Sequence, residues 1–216
     1  MFFESRIFPT IAEMSEAALA EILRISNDAV SKRGRFSIAL AGGHTPAKLY
    51  ALWAEKYKTQ TPWDRVHLFF GDERFVPEDD LLSNYRMARQ TLIDHVPIPK
   101  ENVHPMLTEF PSPDKAAEAY EVELRRFFGE GAPALDEQRR WVVAVTAPAE
   151  PPQRLTLTPV VLNQGLNTFF LVAGENKREI LTALRSEPQN VPSKYPAGRI
   201  RPARGVVWYL DQAAAG

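Results

Sequence analysis

Apolar positions in this chain follow two rhythms that take turns from one end to the other. Short β-prone runs alternate with stretches in which apolar residues recur every three or four positions. Residues 1–9 predict an edge strand ending at Pro9. In residues 10–33, Ile11, Ala18, Leu19, Ile22, Leu23, Ile25, Ala29 and Val30 line one helical face, closed by Lys32, Arg33 and Gly34. Phe36 to Ala41 fits a strand buried on both faces of a parallel sheet. A helix with Leu49, Leu52 and Trp53 follows and ends before Pro62, and Val66 to Phe70 is the next strand. Ser83 to Asp94 predicts a helix capped by Ser83, and Val103 to Leu107 a short extended piece. Ser112-Pro113-Asp114 opens a helix through Phe128 with Ala117, Tyr120, Leu124 and Phe127 at helical spacing. Trp141 to Val145 is extended, and prolines 148, 151 and 152 force an irregular loop that Arg154 ends. Leu155 to Asn163 is extended and then helical. Thr168 to Ala173 predicts a buried strand, Glu175 to Ser186 a helix, 188–202 a Pro-rich loop, and Val206 to Leu210 a last strand.

Strands alternating with helices through short turns define an α/β fold, a doubly wound and mostly parallel sheet flanked by helices. No internal repeat, low-complexity segment or linker divides the 216 residues, so a single domain is expected over 1–216. The net charge of −1 supplies no overall field for nucleic acid or an anionic membrane, so an anionic ligand needs a local cluster. No cysteine is present, which excludes disulfides, thiol nucleophiles and Cys-ligated metals and suits a reducing cytosol. The N-terminus lacks a basic region followed by an apolar core, and no apolar run approaches the ~18 residues a membrane span needs. A cytoplasmic location is expected.

The stretch Gly42-Gly43-His44-Thr45-Pro46 organises the chemistry. Two glycines allow a tight turn and a close approach to the backbone. Thr45 suits an N-cap and Pro46 the first helical position, so the helix aims free N–H groups and its positive end over Gly42-Gly43. Two other strand ends carry polar or glycine-containing sequence, Gly71-Asp72-Glu73-Arg74 and Gly174-Glu175-Asn176-Lys177. In an open parallel sheet all three would converge on the edge where ligands bind. Asp72 or Glu73 can serve as a base or accept from sugar hydroxyls, and Arg74 offers a donor fork for phosphate or carboxylate. Lys177, at a helix start, opposes the dipole unless an anion lies between. Arg154 taken alone reads as solvated. Among the histidines, His67 reads as packed in a strand, His95 and His104 as surface, and His44 as a donor on the anion loop. No pair has metal-ligand spacing, and the Gly-x-Ser-x-Gly elbow, dinucleotide fingerprint and Walker loop are missing, so no metal and no cofactor are expected.

With these residues in hand the chain resembles the 6-phosphogluconolactonases of the sugar-phosphate isomerase and deaminase superfamily, over nearly its whole length. The resemblance rests on Ala39 to Pro46, Trp63 to Val66 leading into Gly71 to Pro77, and Ser83-Asn84-Tyr85-Arg86-Met87-Ala88. It continues through Ala147-Pro148, Pro151 to Thr156, Leu171 to Lys177 and Arg199 to Pro202. It implies a Rossmann-like architecture and metal-free hydrolysis of 6-phospho-glucono-δ-lactone to 6-phosphogluconate in the oxidative pentose phosphate pathway. It further implies that Gly42, Gly43 and Thr45, with His44 on the same loop, hold the phosphate, assisted by Arg154 and Lys177. Asp72 and Arg74 would line the lactone pocket. The implied partner is the sugar-phosphate lactone, on a monomer or weak dimer.

One departure stands against that resemblance. The family carries a further strand and a loop reading approximately Gly-x-Gly-x-Asp-Gly-His-Thr-Ala-Ser-Leu-Phe-Pro, whose histidine is held to activate the attacking water. Here Gly129-Glu130-Gly131-Ala132-Pro133-Ala134-Leu135-Asp136 leads straight to Trp141. An unrecorded segment, a true deletion and a non-catalytic sugar-phosphate binder are the alternatives. Losing a central strand would unpair backbone groups on two neighbours, which favours the first. A glucosamine-6-phosphate deaminase ranks lower, because Glu73 is followed by Arg74 where those enzymes usually carry an aromatic residue.

Overall fold

The computed structural model describes residues 3–129, 140–186 and 195–216. In chain order the elements are β1 (Phe3–Phe8), α1 (Ile11–Arg33), β2 (Phe36–Leu40), α2 (His44–Lys56), β3 (Val66–Phe70), β4 (Asp72–Arg74), α3 (Asn84–Thr91) and α4 (Pro113–Phe128). They continue with β5 (Val142–Thr146), β6 (Gln153–Leu157), α5 (Pro159–Leu162), β7 (Thr168–Val172), α6 (Arg178–Ser186), β8 (Val206–Asp211) and a last helix α7 (Gln212–Ala215). Contacts group the chain into two compact units, Met1–Ala18 with Pro159–Gly216, and Leu19–Thr158.

In the first unit β8 pairs in parallel with β1 on one side and β7 on the other. Leu181 and Leu184 of α6 pack with Val206, Trp208 and Leu210 of β8 and with Ala214 of α7. The Asp211 carboxylate, buried, caps α7 through the Ala214 N–H at 2.8 Å and also accepts from the Gly174 N–H at 3.0 Å. One acid thus ties the turn after β7 to the end of β8.

In the second unit β2 and β3 pair in parallel, and β4, β6 and β5 form an antiparallel sheet in the order β4-β6-β5. Its core gathers Leu40, Leu49, Trp53, Leu68, Phe70, Ala88, Leu124 and Leu155, all nearly inaccessible. Two buried tyrosines finish the parallel pair. Tyr50 Oη accepts from the Ala41 N–H and donates to the Ala41 carbonyl, both at 2.9 Å. Tyr120 Oη accepts from the Phe70 N–H at 2.9 Å. Each phenol takes the place of a neighbouring strand where the ladder runs out. Burial pushes both phenols well above the usual tyrosine range.

The helix-flanked, mostly parallel α/β arrangement is the expected class. Several local expectations are corrected. The cap of α2 is Gly43 at φ 102°, not Thr45, so Pro46 is the third helical residue, where its missing N–H is still one the helix cannot use. Ser83 does cap α3, accepting from the Arg86 N–H, but the helix closes at Thr91 and a tight turn covers Ile93–His95. Asp72–Arg74, read as the polar end of the preceding strand, forms a short strand of its own. Only Val103 of the expected piece bridges, to Leu68. His104 is buried rather than on the surface: its ring lies between His67 at 3.2 Å and Glu123 at 3.0 Å and stacks on Phe69. The expected helix at Glu175 opens as a turn, Glu175–Lys177, before α6. Strand β2, expected to be buried on both faces, and strand β7, expected to be buried, are not. Ala39 is exposed and every residue of β7 is only half-buried, and among the described residues each strand has one pairing partner. Most of the 129–136 gap and part of the 188–202 loop lie outside the described residues.

Candidate active site

The site is built where β2 and β3 end and β4 begins. The two parallel strands finish in register, and the Gly71 N–H donates to the Leu40 carbonyl at 2.8 Å, so the Gly42 and Gly71 corners lie side by side. The positive φ of Gly43 turns the chain into α2, whose first N–H groups face outward at His44 and Thr45. His44 is exposed and Thr45 half-buried.

Strand β4 then sorts three charged residues by face. Successive side chains alternate, so Asp72 and Arg74 share one face and Glu73 takes the other. Glu73 points into the core at 2% exposure. Its carboxylate accepts from the Arg74 and Asn84 N–H groups through Oε1 and from the Tyr85 N–H through Oε2, each at 2.7 Å. Oε2 also accepts from Ser83 Oγ at 3.2 Å. The carboxylate sits at the start of α3, where the dipole favours it. Burial pushes Glu73 up, and these four hydrogen bonds oppose the rise.

On the ligand face, Arg74 lies directly opposite Arg154 of β6, and Asp72 opposite Thr156. Arg74 Nη1 donates to the Leu82 carbonyl and Arg154 Nε to the Pro151 carbonyl at 3.2 Å, and like charges at opposed positions of an antiparallel pair repel, a repulsion that an anion between them would relieve. Arg74 Nε is buried and has no protein partner. Burial raises the Asp72 carboxyl, while Arg74, Arg154 and the Asn84 amide pull it back. Asn84 Nδ2 donates to the Asp72 carbonyl at 3.0 Å and to Asp72 Oδ1 at 3.3 Å.

The fold therefore brings Asp72, Arg74 and Arg154 together beside Gly42, Gly43, His44 and Thr45. Arg154, a solvated residue when taken alone, becomes part of the cluster through the register of β4 with β6. Lys177 is exposed and belongs, with the rest of the Gly174–Lys177 turn, to the other unit. Sequence reasoning missed the internal roles of Asn84, Glu73, Tyr50 and Asp211. The signal available for Glu73 was its alternation against Asp72 and Arg74. Among the described residues no group of three or more His, Cys, Asp or Glu could hold a metal ion.

Strand ends that combine a glycine corner, a helix start and paired arginines make an arrangement suited to an anion, and similarity to known proteins gives the family. The model of the family described as glucosamine-6-phosphate isomerases/6-phosphogluconolactonase matches residues 9–136 and 130–209, and the chain belongs to that family. A 6-phosphogluconolactonase of Synechocystis is 35% identical over 225 residues, covering 92% of this chain and 91% of the relative. A 6-phosphogluconolactonase of Mycobacterium tuberculosis is 32% identical over 241 residues, covering 97% and 96%. The crystal structure of a 6-phosphogluconolactonase from Thermotoga maritima superposes with a TM-score of 0.83 at 26% identity, covering 98% of this chain and all of that one.

Proposed function

We propose that this fold hydrolyses 6-phospho-D-glucono-1,5-lactone to 6-phospho-D-gluconate, the lactonase step of the oxidative pentose phosphate pathway. The observation that carries the reading is the face shared by Asp72, Arg74 and Arg154 beside the Gly42–Thr45 corner. The 6-phosphate is held by the amides of Gly42, Gly43, His44 and Thr45, with charge from Arg154. Remote binding of this kind orients the ring carbonyl. Water adds to the carbonyl carbon and loses a proton to a base, the bond to the ring oxygen breaks, and that oxygen is protonated. Arg74 steadies the oxyanion that forms, and Asp72 lines the lactone pocket as acceptor or base. The enzyme is read as cytoplasmic, a monomer or weak dimer, acting without metal or cofactor.

The second reading, a sugar-phosphate binder without turnover, rests on a separate observation. The family match comes as two stretches that meet at 130–136. The Synechocystis alignment runs over 225 residues yet covers only 92% of a 216-residue chain, so the relative carries a segment with nothing opposite it here. A missing strand and histidine loop near 129–136 would leave the binding face and remove the histidine held to activate the attacking water.

Freshly prepared lactone separates the two. A rate above spontaneous hydrolysis establishes the lactonase. No rate, together with a melting temperature raised by 6-phosphogluconate, establishes the binder. Neither response refutes both.

A further inference from the structure

The most informative orphan in the molecule is the side-chain oxygen of Asn84. The residue is 2% exposed, and its orientation is fixed by chemistry: both groups that its Nδ2 meets, the carbonyl and Oδ1 of Asp72, are acceptors. The amide oxygen must therefore point the other way, and there it has no protein partner. It lies against Gly42, so close that a Cβ on that glycine would sit 1.9 Å from Asn84 Oδ1. Gly42 is thus a glycine because the Asn84 amide occupies the space of its missing side chain.

A buried acceptor without a donor costs about 1–3 kcal/mol, so its retention calls for a ligand that supplies one. An ionised phosphate oxygen is an acceptor and cannot supply that hydrogen bond. A sugar hydroxyl beside the phosphate supplies the donor.

We propose that Asn84 is a substrate-binding residue. Its Oδ1 accepts a hydrogen bond from a hydroxyl of the phosphorylated sugar above Gly42, while its Nδ2 holds Asp72 in place. One amide then links the phosphate corner to the carboxylate of the reaction face and distinguishes a polyhydroxylated phosphate from phosphate alone. This rests on the sugar-phosphate reading of the same site.

Calorimetric titration of the full chain with 6-phosphogluconate and with inorganic phosphate tests it. Asn84→Ala, and Asn84→Leu of similar size, should weaken 6-phosphogluconate about tenfold, while phosphate changes less than about twofold. A residue that merely shaped the corner would lose both ligands alike, and that result, or an unchanged 6-phosphogluconate affinity, overturns the proposal. Binding of neither ligand by the parent chain overturns the sugar-phosphate reading and this one with it. Should neither variant fold, a structure of the parent chain with 6-phosphogluconate decides: a sugar hydroxyl within about 3.2 Å of Asn84 Oδ1 supports the proposal. A ligand with no hydroxyl there refutes it.

Discussion

Glu73→Gln changes one oxygen to NH2 and almost no volume, yet it should unsettle the whole approach to the site. The carboxylate accepts four hydrogen bonds, three of them from backbone N–H groups. A glutamine must put its NH2 at one of the two oxygen positions. The cheaper choice is the Oε2 position, because Ser83 Oγ can turn to accept from it. The Tyr85 N–H is then left facing another donor, a buried orphan worth about 1–3 kcal/mol. The bonds to the Arg74 and Asn84 amides survive but lose their charged acceptor, a loss of about 1 kcal/mol each. Removing a buried charge returns part of this, since burial already pushes the carboxyl up. The net cost is about 2–4 kcal/mol, which for a chain of this size lowers the melting temperature by roughly 5–15 °C. Circular dichroism melts of the parent, Glu73→Gln and Ser83→Ala measure it, the last expected to cost only about 1 kcal/mol as a lost cap. A Glu73→Gln melting temperature within about 2 °C of the parent would show that the carboxylate does not hold α3 to β4.

Asp72→Asn should stabilise the fold at neutral pH while abolishing lactone turnover. The folded Asp72 carboxyl is raised, so its contribution is complete below the unfolded value of 3.8 and is lost as pH rises through the folded one. The melting-temperature gain of the variant should therefore grow between pH 3 and 7, and a pH-independent gain contradicts the assignment. Arg154→Met should leave the melting temperature level or raise it slightly, by relieving the repulsion with Arg74, while cutting 6-phosphogluconate affinity at least tenfold; undiminished binding in calorimetry would exclude Arg154 from the site. Asp211→Ala leaves the Gly174 N–H unpaired and α7 uncapped. It should cost about 2 kcal/mol, read as faster hydrogen exchange at Gly174 and Ala214.

The sequence disclosed the elements that rest on period and punctuation. Val66–Phe70 and the Ser112–Phe128 helix coincide with expectation, because a five-residue apolar run and a Ser-Pro-Asp opening each have a single good solution. Strand β4 was illegible, since Asp-Glu-Arg has low strand propensity and becomes a strand only by pairing with β6. The same pairing turned Arg154 from a loop arginine into the partner of Arg74. His104 was misread for a related reason: flanking prolines suggest surface, while Glu123 and His67, far off in the chain, supply its partners. The glycine corner was legible in type but shifted in register, because Gly43 itself, with its positive φ, makes the turn that Thr45 was expected to cap. Asn84 was invisible as a ligand group, since only coordinates reveal which of its amide atoms goes unanswered.

The phenols of Tyr50 and Tyr120 have an effect beyond tidiness. Each satisfies backbone groups at a strand end from one helix side chain, adding to the Gly71–Leu40 hydrogen bond that joins the two tips. The ends of β2 and β3 thus hold their conformation through side chains of α2 and α4, with no ligand required to satisfy a backbone group there.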